Sequence, residues 1–378
     1  MNPYQKKSSS RVNSKTQTIH LKKGGIRLFS EDDLEIVADM SKELIPLSSL
    51  MTKEQCISKL RQLYLENEFH RNGTASLVYE DKSGVVIGFM GITEQPMLWN
   101  GRTIIAANSS QMMVRTKKNA ALASIQLLKT LMNANYDLCF ADSATDIARS
   151  LWERCGGTTA ELYSQYYRQM LQPHKVIRNH LCGNVLHKAV SPLCFMGDIV
   201  LNYAPGSPFR FKKTGLEIQE LETEELLALI QKAAVSLNIT PVYTNDTLQW
   251  RINLLKDELR YGPFKAIKMV QQPSGDIAGW ALFHLKEGGV CEIIQLETRP
   301  GMENLIFETL CYYLWQQGGA ELVGRLAPRH FGKLGFKTTL FMPGFRWMLV
   351  YSANTDLLNS IKTGQAYLSR LEGDLRLV

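Results

Sequence analysis

Between Met112 and Met132 an apolar, strand-like end runs through a short cationic turn into a helix-like pattern. The turn, Lys117-Lys118-Asn119-Ala120-Ala121-Leu122-Ala123, is built mainly of small side chains and two lysines. A strand that stops at Val114, followed by a helix whose first turn is Ala121 to Ser124, leaves backbone N–H groups at the helix start with no partner inside the helix. Small side chains let a ligand approach that backbone closely. Amides, helix dipole and lysines together suit an anion, above all a pyrophosphate. The competing reading is that the alanines favour helix and the lysines are a solvated face.

The surrounding elements must hold this turn in place. Residues 31 to 70 carry helical spacing, with Ile36, Met40 and Leu44 and then Cys56, Leu60, Leu63 and Tyr64. "ASLVYEDKSGVVIGFMGI" and "PMLWNGRTIIAANSSQMMV" read as strands joined by turns at Asp81 to Gly84 and at Asn100-Gly101, the latter a hairpin signal. The quoted helix follows, then a strand at Asp137 to Ala141, a helix from Asp146 to Cys155 and a strand around Leu162 to Met170. A meander followed by β-α-β-α-β is an α+β, or mixed α/β, layer pattern.

The second half repeats this order. Helices near 222 to 238 and 246 to 257 lead to "FKAIKMVQQPSGDIAGWALFHL", whose strand-turn-strand form echoes the earlier hairpin. "VCEIIQLET", a helix from about Glu303 to Gln317, the strand "ELVGRL" and "PRHFGKLGFKTTLFM" come next, the last comparable with "ARSLWERCGGTTAELYS". A fold repeat is the simplest account. We therefore expect a basic tail over 1–24, a first unit over 25–172, a connector over 173–213 and a second unit over 214–378. Each unit should hold a central, mostly antiparallel sheet flanked by helices.

Charge supports the tail. The seven cations before Glu31, with no acid among them, equal the whole excess of Lys and Arg (43) over Asp and Glu (36). Rich in Ser, Thr and Asn, that segment reads as solvated. A nucleic-acid or anionic-membrane arm is its other reading, though nucleic acid is not among the expected partners. No signal-peptide core and no stretch of about 18 apolar residues is present, so a soluble cytoplasmic chain is expected. The seven cysteines lie scattered in apolar surroundings and read as buried free thiols.

The order of strand, basic small-residue loop, helix and strand, followed by "ARSLWERCGGTT", resembles the GNAT acyltransferase superfamily. There the loop after the fourth strand has the form Arg/Gln-x-x-Gly-x-Gly/Ala and holds the pyrophosphate of acyl-CoA. Lys118 falls on the basic position, Ala121 on the first Gly and Ala123 on the Gly/Ala. Lys in place of Arg or Gln and Ala in place of Gly are departures, and Ala in a helical turn is sterically tolerable. "GTASLVYEDKSGVVIGFMG", "SSQMMV", "DLCFADSATDIARSLWERCGGTT", "YTNDTLQWRIN" and the closing "LEGD" look like tandem-GNAT proteins linked to surface polysaccharide pathways.

The resemblance implies acyl transfer from acetyl-CoA or another acyl-CoA to an amine or hydroxyl of a small molecule or sugar, with a homodimer as an option. Lys118, Asn119, Ala120, Ala121, Leu122 and Ala123 would hold the cofactor, and Met113 and Val114 would face the thioester carbonyl through their backbone. The acid that protonates the leaving thiolate is commonly a Tyr where this chain has Trp152, and Phe331 in the second half. A neighbour such as Tyr163, Tyr166 or Tyr167 would have to serve, and Tyr166 is our choice. Ser109, Ser110 and Gln111 can orient a substrate but are poor bases. Ser110 is the one we select. Glu66, Glu68 and His70 could line the acceptor side, or form a solvated helix end. Asp142 sits at a strand end, where α/β layers open on a ligand crevice; otherwise it or Ser143 caps the next helix.

The second half lacks the loop. Pro300-Gly301 is followed by Glu303, an acid that would repel a phosphate. That unit is expected to bind no CoA and to help build the acceptor pocket. Trp250-Arg251 and Arg346-Trp347 could present cation and aromatic surface to it, or Arg251 could sit in a salt bridge on a buried helix. Two other functions remain open: a Fem-type transferase using aminoacyl-tRNA, and a non-catalytic acyl-CoA-binding module.

Overall fold

The computed structural model describes all residues except 1–23, 46–47, 70–74, 116–119, 177–206, 208, 259–260, 336–337 and 375–378. The tail, most of the connector, Cys182 and Cys194 therefore lie outside the described residues. The first half runs β1 (Gly25–Leu28), α1 (Leu34–Leu44), α2 (Lys53–Tyr64), β2 (Leu77–Glu80), β3 (Val86–Trp99), β4 (Arg102–Val114), α3 (Ala120–Met132), β5 (Leu138–Ala144), α4 (Asp146–Cys155), β6 (Thr158–Thr159) and β7 (Gln165–Met170). The second runs β8 (Leu216–Glu220), α5 (Thr223–Ala234), β9 (Ile239–Pro241), α6 (Asn245–Lys256), β10 (Phe264–Gln271), β11 (Asp276–His284), β12 (Val290–Thr298), α7 (Glu303–Gln316), β13 (Glu321–Arg325), β14 (Thr339–Pro343), β15 (Trp347–Tyr351) and α8 (Thr355–Lys362).

Local chemistry explains the turns. Asn100 and Gly101, at φ 49° and 78°, close the β3–β4 hairpin with Trp99 opposite Arg102. Both central residues of this tight turn need positive φ, which Asn and Gly adopt readily. α4 is capped by Thr145, whose hydroxyl accepts from the Ala148 N–H, and not by Asp142 or Ser143. Its far end stops at Gly156, in the left-handed region.

Two sheets form. The first has the order β1-β2-β3-β4-β5-β15-β6, with β9 also pairing β3; the second has the order β14-β7-β13-β12-β11-β10-β8. The halves thus trade strands. β7 lies between β13 and β14, with Tyr167 opposite Gly324 on one side and Phe341 on the other. β15 returns to the first sheet, with Val350 opposite Phe140 on β5 and Thr158 on β6. Met348, Leu349 and Val350 are all buried, the pattern of an interior strand covered on both faces. The segment expected as one strand over 162–170 is a 3-10 turn at Glu161–Tyr163 and then β7. A cut in the connector would leave β7 and β15 on the wrong side of their sheets.

Each sheet is covered on both faces. α1 and α2 pack Val37, Met40, Leu60 and Tyr64 on Phe89 and Met113 of the first sheet, while α3 and α4 pack Leu127, Leu131 and Trp152 on Met90, Ala107 and Ala141. In the second, α7 covers one face and α5 and α6 the other. Cys56, Cys139, Cys291 and Cys311 are buried free thiols, and Cys155 is free and half-buried. No described helix is long and apolar enough to cross a membrane.

Candidate active site

β4 and β5 pair in parallel only where Ala106–Asn108 faces Leu138–Phe140. Beyond Asn108 the strands part, and β4 continues on β3 alone. The β3–β4 register jumps from Phe89 opposite Met113 to Gly91 opposite Ser110, and Gln111 sits at φ 50°. This bulge takes residues 111–112 out of the regular ladder and turns the strand edge toward the opening. Past Val114, α3 begins at Ala120, one residue before the expected start. Ala120 to Leu122 open the first turn, and N–H groups at that place in a helix have no intrahelical partner. Ala121 and Leu122 are exposed, Ala120 is half-buried and Ala123 is fully buried, so Ala123 can offer a ligand only its backbone. Met113 is a core side chain. Lys118 and Asn119 lie outside the described residues.

The second half repeats the geometry and then closes it. Parallel pairing of β12 with β13 ends at Ile293 opposite Gly324, and a bulge follows between Ile293 and Gln295. The parting strands are lined by the chain's own Tyr367 to Arg370. Ser369 donates its hydroxyl to Gln295 Oε1 at 3.0 Å, and Arg370 pairs with Glu292. Glu303, in the first turn of α7, is buried 3.8 Å from Lys333.

Glu297 lies in this second opening. Burial would raise its pKa, but Arg329, with Nε 3.1 Å from Oε2, and His330 outweigh burial and hold it at about 2. A depressed folded-state pKa contributes stability that is complete above the unfolded value and lost as pH falls through the folded one. Glu297→Gln should therefore remove on the order of 3 kcal/mol at neutral pH and flatten the loss of stability between about pH 4.5 and 2. Urea unfolding of both proteins across that range checks it.

Back in the first opening, Ser110 Oγ and the Tyr64 hydroxyl are hydrogen-bonded at 2.8 Å. The Tyr64 ring lies over Gly91, where an added Cβ would sit 2.3 Å from it, so only glycine admits the ring. Burial first, and then the charge of Asp374, push the Tyr64 pKa far above that of a free phenol, so the group stays protonated. A recess beside this pair is lined by Leu63, Tyr64, Thr93, Asn108 and Ser110 from the first half and by Trp250, Arg251 and Gly373 from the second. Arg251 is 1 % exposed and donates to the Leu371 carbonyl at 2.5 Å and to Gln95 Oε1 at 2.6 Å. The salt-bridge alternative for Arg251 is thus corrected: carbonyl, amide and aromatic faces surround it.

No protein-family model matches the sequence, and neither does any curated protein. Solved structures do match. A GCN5-related N-acetyltransferase from Anabaena variabilis ATCC 29413 superposes with TM-score 0.54 at 10 % identity, over 88 % of this chain and 73 % of that one. A conserved protein of unknown function from Enterococcus faecalis V583, described as a probable N-acyltransferase, gives 0.52 at 9 %, over 90 % and 74 %. Saccharomyces cerevisiae N-myristoyltransferase with bound myristoyl-CoA gives 0.52 at 11 %, over 88 % and 79 %. The chain has the GNAT fold. At such identities the likeness speaks for the fold alone.

Within the GNAT fold the remaining expected residues sort by contact. Trp152, at the position where a Tyr acid is common, is buried in the core under α3. Tyr163 is committed, donating to the Ala366 carbonyl at 2.7 Å and accepting from its N–H at 2.9 Å. Tyr167 is buried edge-on to Phe307. Tyr166, on β7 of the second sheet, is 4 % exposed, lies edge-on to Phe345 at 5.5 Å and has a hydroxyl with no hydrogen-bond partner. It is not bonded to Ser110. Asp142 is paired with Arg325 of β13, both buried, and its Oδ2 lies against Gly373, where an added Cβ would be 2.1 Å away. Asp142 is thus held in a buried ion pair between the halves. Glu66 and Glu68 are exposed, and His70 lies outside the described residues. Tyr64 and Gly373 line the recess without having been expected there, whereas Trp250 and Arg251 line it as one of their two sequence readings had it. Gly373 falls in the closing "LEGD", from which no site residue was expected.

Proposed function

We propose that this chain is an acyl-CoA-dependent acyltransferase whose first half carries the cofactor and whose acceptor enters through the recess between the halves. The observation that carries this reading is the parting of β4 from β5 beside a bulge at Gln111, with the helix start at Ala120 to Leu122 following β4 in the chain. The pyrophosphate rests on that helix start, helped by Lys118 and Asn119, and the thioester carbonyl lies along Met113 and Val114. The acyl group, acetyl or longer, passes to an amine or hydroxyl. Ser110 orients the acceptor. Tyr64, held protonated, is hydrogen-bonded to Ser110 and fixes it, and Tyr166 is the candidate donor to the departing thiolate. The second half binds no CoA because its own chain lines the matching opening.

Calorimetry with acetyl-CoA and longer acyl-CoAs, together with thiol release in the presence of small amines and amino sugars, tests this. One CoA site per chain and release that depends on acceptor are expected. Failure to bind any acyl-CoA sinks the reading, binding without turnover leaves an acyl-CoA-binding module, and stabilisation by aminoacyl-tRNA instead points to a Fem-type transferase. Ser110→Ala and Tyr64→Phe should each lower kcat about ten- to a hundredfold through lost positioning. Their acyl-CoA affinity should stay within about twofold of the parent.

A further inference from the structure

We infer that the recess between the halves binds the carboxylate of the acceptor, so that the acyl group goes to the amine of an amino acid or a similar zwitterion; this rests on the acyl-CoA reading above. Arg251 is the starting point. Its guanidinium is buried, and among the described residues no carboxylate pairs with it. The rings of Phe69, Tyr243 and Trp250 stand 5.0, 5.8 and 5.9 Å from it. Their faces and the two oxygen contacts offset part of the burial of a cation and leave its charge unmatched. Arg251 Nε has no hydrogen-bond partner, and neither has the buried Nε1 of Trp250. Both residues line the recess that holds Ser110 and Tyr64.

A charged fork beside a second N–H donor is the arrangement that a carboxylate fills, accepting from both. The rest of the recess has the opposite character. Asn108, on the same wall, has a buried side-chain oxygen with no partner. An acceptor oxygen on the Ser110 side suits an ammonium group, and the cation on the Trp250 side suits a carboxylate. Glu372, near the chain's end, is bonded to the Tyr243 hydroxyl at 2.8 Å and the Ser369 N–H at 2.7 Å and so does not pair with Arg251. An acceptor so bound presents its ammonium group beside Ser110. One proton leaves to solvent to give the free amine, the nitrogen forms the new bond to the acyl carbon, and as the C–S bond breaks the second proton of that nitrogen passes to the CoA thiolate, leaving an amide and the CoA thiol.

The indole N–H of Trp250 reports on the recess whether or not the protein turns over. In a proton–nitrogen correlation spectrum of the full chain, Trp250→Phe identifies that resonance by its loss. Glycine, alanine, glutamate and lysine, each against its amide, are then titrated with and without acetyl-CoA. We expect the acids and not the amides to move the resonance, and Arg251→Lys, which keeps the charge but loses the fork, to weaken the effect at least tenfold. In turnover, Trp250→Phe should raise KM for the acceptor about tenfold and leave KM for acyl-CoA unchanged. Amides as effective as acids, or a resonance that ignores every acid, overturns the inference. If acids move the resonance while no acyl-CoA binds, the subsite stands and the acyl-CoA reading falls. Transfer to amino sugars with an unresponsive indole is the reverse.

Discussion

Ala121→Asp should abolish acyl-CoA binding, by more than a hundredfold, in a protein that still folds, while Gly301→Asp should leave affinity within about twofold. Ala121 is exposed in the first turn of α3, so the new side chain meets no core atom. An acid at a helix start favours the helix itself. What it opposes is a second anion at the same amides, and repulsion there adds to the loss of the attraction that brought the diphosphate in. Gly301 has open space around an added Cβ, and its φ of +83° adds a strain of about 1 kcal/mol. Its helix already begins with Glu303, and the opening behind it is lined by Tyr367 to Arg370. Lys118→Glu should weaken binding by roughly 2 kcal/mol or more by the same logic. Calorimetric stoichiometry and affinity decide the matter. Two CoA per chain, or affinity lost only with the Gly301 change, would put the working site in the other half.

The second large effect is expected on stability. Arg325→Met leaves Asp142 buried and uncompensated, and should destabilise the protein by about 3–5 kcal/mol. Asp142→Ala should be costly for the matching reason. The double variant should lose much less than the sum of the two, because it removes both charges from an interior that must otherwise match them. A double-mutant cycle in urea gives the coupling. Acyl-CoA affinity of the double variant should stay near that of the parent. If the two changes are additive in stability while the folded double variant has no turnover, Asp142 is a catalytic base and the pair with Arg325 is incidental.

The difference between the two readings of Asp142 shows what a sequence carries. β4 ends at Val114, the Asn100-Gly101 turn closes a hairpin and α4 spans Asp146–Cys155, as the local patterns require. Periodicity and turn chemistry act over a few residues, and those residues are adjacent in the chain. Asp142 stands three residues before the cap of α4, so local logic offered it a capping role; its actual partner is 183 residues away. The same holds for Arg251, whose contacts are Gln95 and Leu371. Tyr64 fell on the apolar stripe of α2, and nothing in its spacing distinguished a core ring from one whose hydroxyl reaches Ser110. The exchange of β7 and β15 is of this kind too. Alternation specifies that a strand has two faces and leaves open which sheet receives it.

That exchange has a consequence for how the chain is made. When β5 and β6 leave the ribosome, the gap between them waits for a strand some two hundred residues further along, and β7 emerges before either of its neighbours exists. For most of synthesis the first sheet holds two unpaired interior edges, each a template for pairing with another chain. Completion comes late, when Trp347–Tyr351 slots home. Each sheet is then completed by a strand from the other half, so that separating the halves would break backbone ladders in both sheets.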